Sequence, residues 1–211
     1  MAVILANFFN SFKSVGGSSE SYFWLNNTGS LLNQTICGLF TGIPNYIMVP
    51  IAAKMVKKWG ARATSIIAGL FGFFAYMTLF FVGFHPFGQT FKDHYIFNLI
   101  WVIFGLTICG LPNKILNVSG QIVTAEALDY MEWKHGLRNE ALVTTVQGYF
   151  GKLATSVTGW LSGMVLTWIN YVPLTDSLGN AVPQTDPTML NGIWAVFCIL
   201  PALARGLYGV S

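Results

Sequence analysis

A chain of 211 residues with 54% hydrophobic, 15% aromatic and only 9% charged residues cannot clothe a soluble fold, because ordinary globular domains carry about 25% charged residues. Lipid has to meet most of its surface, as the mean hydropathy of +0.57 also requires. A net charge of +3, dispersed along the chain, argues against nucleic acid as a partner.

The first expected span covers residues 2–22. It is no signal peptide, since a basic n-region is missing and Asn7, Asn10 and Lys13 interrupt its apolar core. Asn7, Asn10, Ser14, Ser18 and Ser21 fall on one helical stripe. Lys13 and Glu20 share a neighbouring face, about 10 Å apart along the axis and too far for a direct pair. Gly16-Gly17 makes this helix easy to bend. A polar face on a spanning helix calls for a water-filled cavity or a partner helix.

Spans follow at 32–53, 63–83, 94–124, 141–170 and 191–210. The second and third contain no acid or base, and the fifth is interrupted only by Lys152. Such runs match the roughly 20 residues needed to cross a hydrocarbon core of about 30 Å. Barrel strands would alternate over about ten residues, and these runs do not. The expected fold is therefore an all-α integral membrane bundle of six helices.

Two of these spans carry polar faces. In the fourth, Lys114, Asn117 and Gln121 form a stripe just after Gly110 and Pro112. Lys114 either faces a cavity or snorkels toward the interface. In the fifth, Gly148, Lys152, Ser156, Gly159 and Gly163 run down one side, small residues that let helices approach closely. A lysine at this depth is costly, which marks Lys152 as functional or as half of a structural ion pair.

The loops alternate in charge. Lys54, Lys57, Lys58 and Arg62 crowd the second connection, Lys134 and Arg138 the fourth, and Arg205 lies near the end of the sixth span. The stretches 23–31, 84–93 and 171–190 hold one base, Lys92. Basic loops stay in the cytoplasm, so both termini are expected there. Glu126, Asp129 and Glu132 precede Lys134 and Arg138, forming either a switchable latch between helix ends or a solvated loop that only fixes topology. Cys37, Cys109 and Cys198 lie in separate apolar runs and read as buried small hydrophobes, with no metal or disulfide spacing. No nucleophile motif or paired catalytic carboxylate points to an enzyme.

The stretch "AEALDYMEWKHGLRNEALVTTVQGYFGKLA" resembles the glycoside–pentoside–hexuronide:cation symporters, the melibiose permease family of the major facilitator superfamily. The matching positions are Ala125, Asp129, Tyr130, Glu132, Gly136, Arg138, Glu140, Gln147 and Lys152. "NYVP" at 170–173 is similar to the family's sequence at the outer end of that helix, and "AKMVKKWGAR" resembles the superfamily's basic loop. The resemblance implies a six-helix half, the C-terminal one, of a major-facilitator-type transporter, with the N-terminal half absent. It implies a cation-coupled sugar or glycoside symporter working by alternating access in the cell membrane.

Combined with the polar stripes, it makes Lys152, Asn117, Gln121, Gln147, Lys13 and Glu20 the candidate substrate-binding set. Asp129, Tyr130, Glu132 and Arg138 become a cytoplasmic gate network. The resemblance implies no cofactor beyond a coupling Na+ or H+, bound mostly by the missing half. The implied partners are the bilayer and an N-terminal half or a second copy. Two departures stand out: Glu126 replaces the family's usual aspartate, and Asn117 replaces a sugar-facing tryptophan, which speaks against melibiose as substrate. The alternatives are a non-transporting fragment or assembly module, and a transporter of an amphiphilic or lipid substrate.

Overall fold

Long apolar runs broken by glycine and short polar links produce a succession of helices: α1 (Lys13–Thr28), α2 (Leu32–Trp59), α3 (Ala61–Val82), α4 (Tyr95–His135), α5 (Glu140–Trp168) and α6 (Pro187–Val210). A two-stranded antiparallel ribbon, β1 (Leu174–Thr175) and β2 (Ala181–Val182), lies between α5 and α6, pairing Leu174 with Val182. The structure, a computed structural model, describes residues 13–82, 94–136, 140–172, 174–175, 181–183 and 186–210. Four helices are long and apolar enough to cross a membrane: Leu32–Trp59, Ala61–Val82, Tyr95–Lys134 and Pro187–Leu207. The described part of α1 and the Lys152-bearing α5 are not among them.

Packing explains the arrangement. Helix α3 lies against α4 and α6, α2 against α4, and α1 against α6, while α5 meets mainly α1. The larger core gathers Phe23, Trp24, Leu79, Val102, Ile193, Trp194 and Phe197 from four of these helices. Phe23 stacks on Phe197 at 5.3 Å between ring centroids and meets Trp194 at 5.2 Å. Cys37, Cys109 and Cys198 are buried in the same cluster as free thiols, the role expected of them. A smaller core of Ala52, Ala68, Ile115 and Leu116 fills the α2–α3–α4 junction. The outside is apolar: Leu39, Phe40 and Ile43 of α2, Phe74 of α3, and Ile96, Phe97 and Phe104 of α4 are all exposed. So large an uncovered apolar surface belongs in lipid.

The structure redraws several expected boundaries. The basic segment 54–62 is hardly a loop. Lys54, Lys57 and Lys58 complete α2, Arg62 starts α3, and the break is Gly60 alone, at φ 82° with its N–H on the Val56 carbonyl. Helix α4 does not end near 124 but runs unbroken through the charged motif to His135, where Gly136 at φ 65° stops it. Its 41 residues span about 60 Å, roughly twice the hydrocarbon core, so the last turns stand clear of lipid. Ala, Leu, Met, Glu and Lys favour helix whatever their charge, and no glycine or proline interrupts them.

Arg205 is likewise no topology-setting surface charge, for it is fully buried. At the start of α6, Asp186 caps the helix by accepting from the Thr188 N–H at 2.9 Å and its hydroxyl at 2.7 Å. These bonds hold the Asp186 carboxyl below the usual carboxylate range. The cap therefore contributes above the unfolded-state value and fades as pH falls through the folded one.

The close approach of α6 to the end of α5 depends on Gly192. A Cβ there would come 3.2 Å from Ile169 Cγ1 and 3.3 Å from its Cβ, atoms that a β-branched side chain cannot swing away. Gly148 on α5 faces open space. Gly192→Ala is expected to destabilise the fold by about 1–3 kcal/mol, and Gly148→Ala to be neutral or slightly stabilising. Unfolding in detergent measures both.

Candidate functional site

Helix α4 presents its stripe as a face of the bundle. Asn117 and Gln121 are exposed and Lys114 is half-buried. Lys114 has an aromatic partner that neither expected posture names. Its ammonium sits 5.0 Å from the centroid of the Tyr46 ring on α2, and Tyr46 is itself 72% exposed. The cation thus rests on an aromatic face at the edge of the α2–α4 seam. Asn45, next to Tyr46, packs where α4 has Gly110, so the seam closes only because that position lacks a Cβ. Sequence reasoning missed Tyr46, since nothing in its spacing points to Lys114.

Lys152 and the stripe Gly148, Ser156, Gly159 and Gly163 are also exposed, and a Cβ at any of the three glycines would meet open space. The buried side of α5 is instead Ala154 and Thr158. Ser156 donates to the Lys152 carbonyl at 3.1 Å and Thr155 to the Gly151 carbonyl at 2.9 Å. Those hydroxyl protons are spent within the helix, which leaves the Lys152 ammonium as the stripe's charged donor. Gln147 is half-buried, and its Nε2 donates to Thr124 Oγ1 of α4 at 3.3 Å, tying the α4 and α5 faces together.

Glu20 on α1 is half-buried and accepts from Trp24 Nε1 at 3.4 Å, while neighbouring Ser21 donates to Gln34 of α2 at 3.3 Å. Lys13 opens α1, but its side chain lies outside the described residues, as do Asn7 and Asn10. The structure thus ties Gln147 to α4 beside the Gln121 turn and places Lys114 on Tyr46. Lys152 stays exposed on α5, and the Glu20 bond is to Trp24 on its own helix.

At the charged end of the bundle, Arg62 of α3 and Glu126 of α4 line one cleft with Trp59, Ala61 and Ile66. Two hydrogen bonds hold this end together: Ser119 Oγ to the Ala61 carbonyl at 2.8 Å, and Ser119 Oγ to Ser65 Oγ at 2.7 Å. Asp129, Tyr130 and Glu132 are exposed on the last turns of α4, and Lys134 lies 5.8 Å from the Tyr130 ring. Arg138 lies outside the described residues. Among the described residues no group of three His, Cys, Asp or Glu side chains is arranged to hold a metal.

These features define a helical membrane protein with exposed polar faces and one charged end. Residues 1–207 match the family described as MFS/sugar transport protein, and the chain belongs to that family, as the glycoside–pentoside–hexuronide motif implies. That places it among transport proteins rather than enzymes. It is similar to the uncharacterized symporter YjmB of Bacillus subtilis, 31% identical over 77% of this chain and 31% of the relative. An isoprimeverose transporter of Lactiplantibacillus pentosus is 37% identical over 44% of this chain and 18% of its own length. A protein of Escherichia coli named for sulfoquinovose import is 35% identical over 39% of this chain and 18% of its own. The chain thus spans less than a third of the length of these relatives. No solved structure matches it.

If Tyr46 holds the Lys114 ammonium, Tyr46→Leu releases it toward water. Acylation of Lys114 by a water-soluble amine reagent is expected to quicken by about threefold, the share of a partly exposed cation–π contact. Peptide mapping of the modified chain reads the rate.

Proposed function

We propose that the chain is the C-terminal half of a cation-coupled sugar symporter working by alternating access, and that its uncovered polar faces form one wall of the sugar pathway. One observation carries this reading. On an otherwise apolar exterior, α4 leaves Asn117 and Gln121 exposed and α5 leaves Lys152 exposed. A lysine turned to hydrocarbon costs about 3 kcal/mol or more, so these faces are suited to water, sugar or further polypeptide. The relatives' greater length supplies that polypeptide, and the names of two of them, for isoprimeverose and sulfoquinovose, support a sugar-type substrate.

In this reading the amides of Asn117 and Gln121 donate to and accept from sugar hydroxyls, and Lys152 supplies a fixed positive charge near the cation and sugar. Lys13 and Glu20 of α1 contribute from the other side of the wall. Sodium or proton coupling is assigned mainly to acids of the N-terminal half. Asp129, Tyr130, Glu132 and Arg138 form the cytoplasmic gate that closes when the pathway opens outward. Both termini face the cytoplasm of a cell with this protein in its plasma or inner membrane.

In a full-length transporter carrying this half, Lys152→Ala is expected to abolish gradient-driven uptake of labelled sugar while insertion and thermal stability persist. Wild-type uptake with unchanged cation dependence would remove Lys152 from the site. For orientation, an impermeant thiol reagent added outside intact cells should modify Val182→Cys and spare Lys134→Cys. The opposite pattern would invert the topology.

A further inference from the structure

Among the described residues, Arg205 is the charged side chain that is fully buried, at 1% exposure. It enters from α6 between α3 and α4. Its stem runs past Gly72 of α3, where a Cβ would meet Arg205 Cγ at 3.3 Å, Arg205 Cδ at 3.4 Å and Pro112 Cβ of α4 at 3.4 Å. Its guanidinium Nη2 donates to Asn113 Oδ1, the residue directly after Pro112. Tyr76 and Cys109 lie within its electrostatic reach.

Pro112 lacks an N–H and crowds the preceding turn, so it is the mechanically weak point of α4. The polar stripe begins two residues later, at Lys114, and everything beyond hangs from that joint. An apolar side chain would fill the space beside Gly72 without the cost of a buried charge, so what the arginine supplies is its reach and its donor. We propose that Arg205 is a positioning residue: by gripping Asn113 just past the proline, it sets the direction of the inner half of α4 and so the placement of Asn117 and Gln121. The importance of those two side chains for transport rests on the sugar-pathway reading, whereas the placement itself does not.

The test uses the full chain in liposomes with a reporter cysteine, Asn117→Cys or Gln121→Cys, the native cysteines being buried. The rate of reaction with a water-soluble maleimide is compared across Arg205, Arg205→Met and Asn113→Leu backgrounds. Each substitution is expected to shift the rate at both reporters by about tenfold, as loss of a charge-assisted hydrogen bond allows. A control cysteine at exposed Ala53 of α2 should stay within about twofold, and combining the two substitutions should add nothing further. Arg205→Lys, which keeps a donor, should restore most of the original rate. Unchanged rates at both reporters, with only a lower unfolding temperature, would reduce Arg205 to a packing residue and overturn the proposal. Should Arg205→Met fail to fold, Asn113→Leu decides alone, since it leaves the arginine stem in place. Labelling needs no sugar, so a failure of sugar uptake leaves this result standing.

Discussion

Inside a bilayer no water is at hand to satisfy a polar group, and the polar side chains within the apolar helices of this chain answer to that lack. Most helical Ser and Thr hydroxyls resolve it locally. Thr64, Ser65, Thr78, Thr107, Thr124, Thr145, Ser162 and Thr167 each donate to the carbonyl four residues back. Such bonds satisfy the side chain without joining helices. The polar groups that do reach across therefore carry the specificity of the fold; among the described residues they include Ser21 on Gln34, Asn26 on Tyr171, Ser119 on the Ala61 carbonyl, Asn33 on Tyr95, Gln147 on Thr124 and Arg205 on Asn113.

Apolar packing in lipid supplies contact rather than a drive to associate, so small residues decide which helices can come close. Gly105 and Gly110 of α4 let α3 and α2 come close, opposite Leu79 and Asn45, and Gly72 of α3 makes room for Arg205 of α6. These seams seat α4 between α2 and α3 and seat α6 on α3. The exposed stripe of α4 is what those two neighbours leave uncovered.

Hydropathy made the apolar runs from 32 onward legible, because a chain this poor in charge has little else to do with them. The ends of those helices were not legible. Clustered charge suggests loops at 54–62 and 126–138, yet Lys57, Lys58 and Glu132 are good enough helix formers to carry α2 and α4 through those stretches. Periodicity revealed the stripes, and Asn117 and Gln121 are indeed on an uncovered face. It could not reveal that Lys114 rests on Tyr46 or that Asn113 meets Arg205 across 92 residues. Those pairings depend on how helices cross, which no single helix's pattern encodes. Arg205 was misread for the same reason: a cation near a helix end resembles an anchor until its neighbours are known.

Helix α5 shows what this logic leaves open. Just past its C-terminal end Tyr171 meets Tyr22 edge-on at 5.1 Å and accepts from Asn26 at 3.5 Å, while Ile169 abuts Gly192. Near its N-terminal end Gln147 reaches Thr124. Between them only Ala154 and Thr158 are buried, and the Gly148–Lys152–Gly159–Gly163 side is bare. A helix tied at both ends but uncovered along one side, with glycines offering close approach and a lysine needing solvation, is not at a minimum against lipid alone. Small residues would be wasted on acyl chains, and the ammonium would be stranded there. The side of α5 that carries Lys152 thus joins small residues suited to close packing with a cation that needs solvation, two demands that acyl chains do not meet.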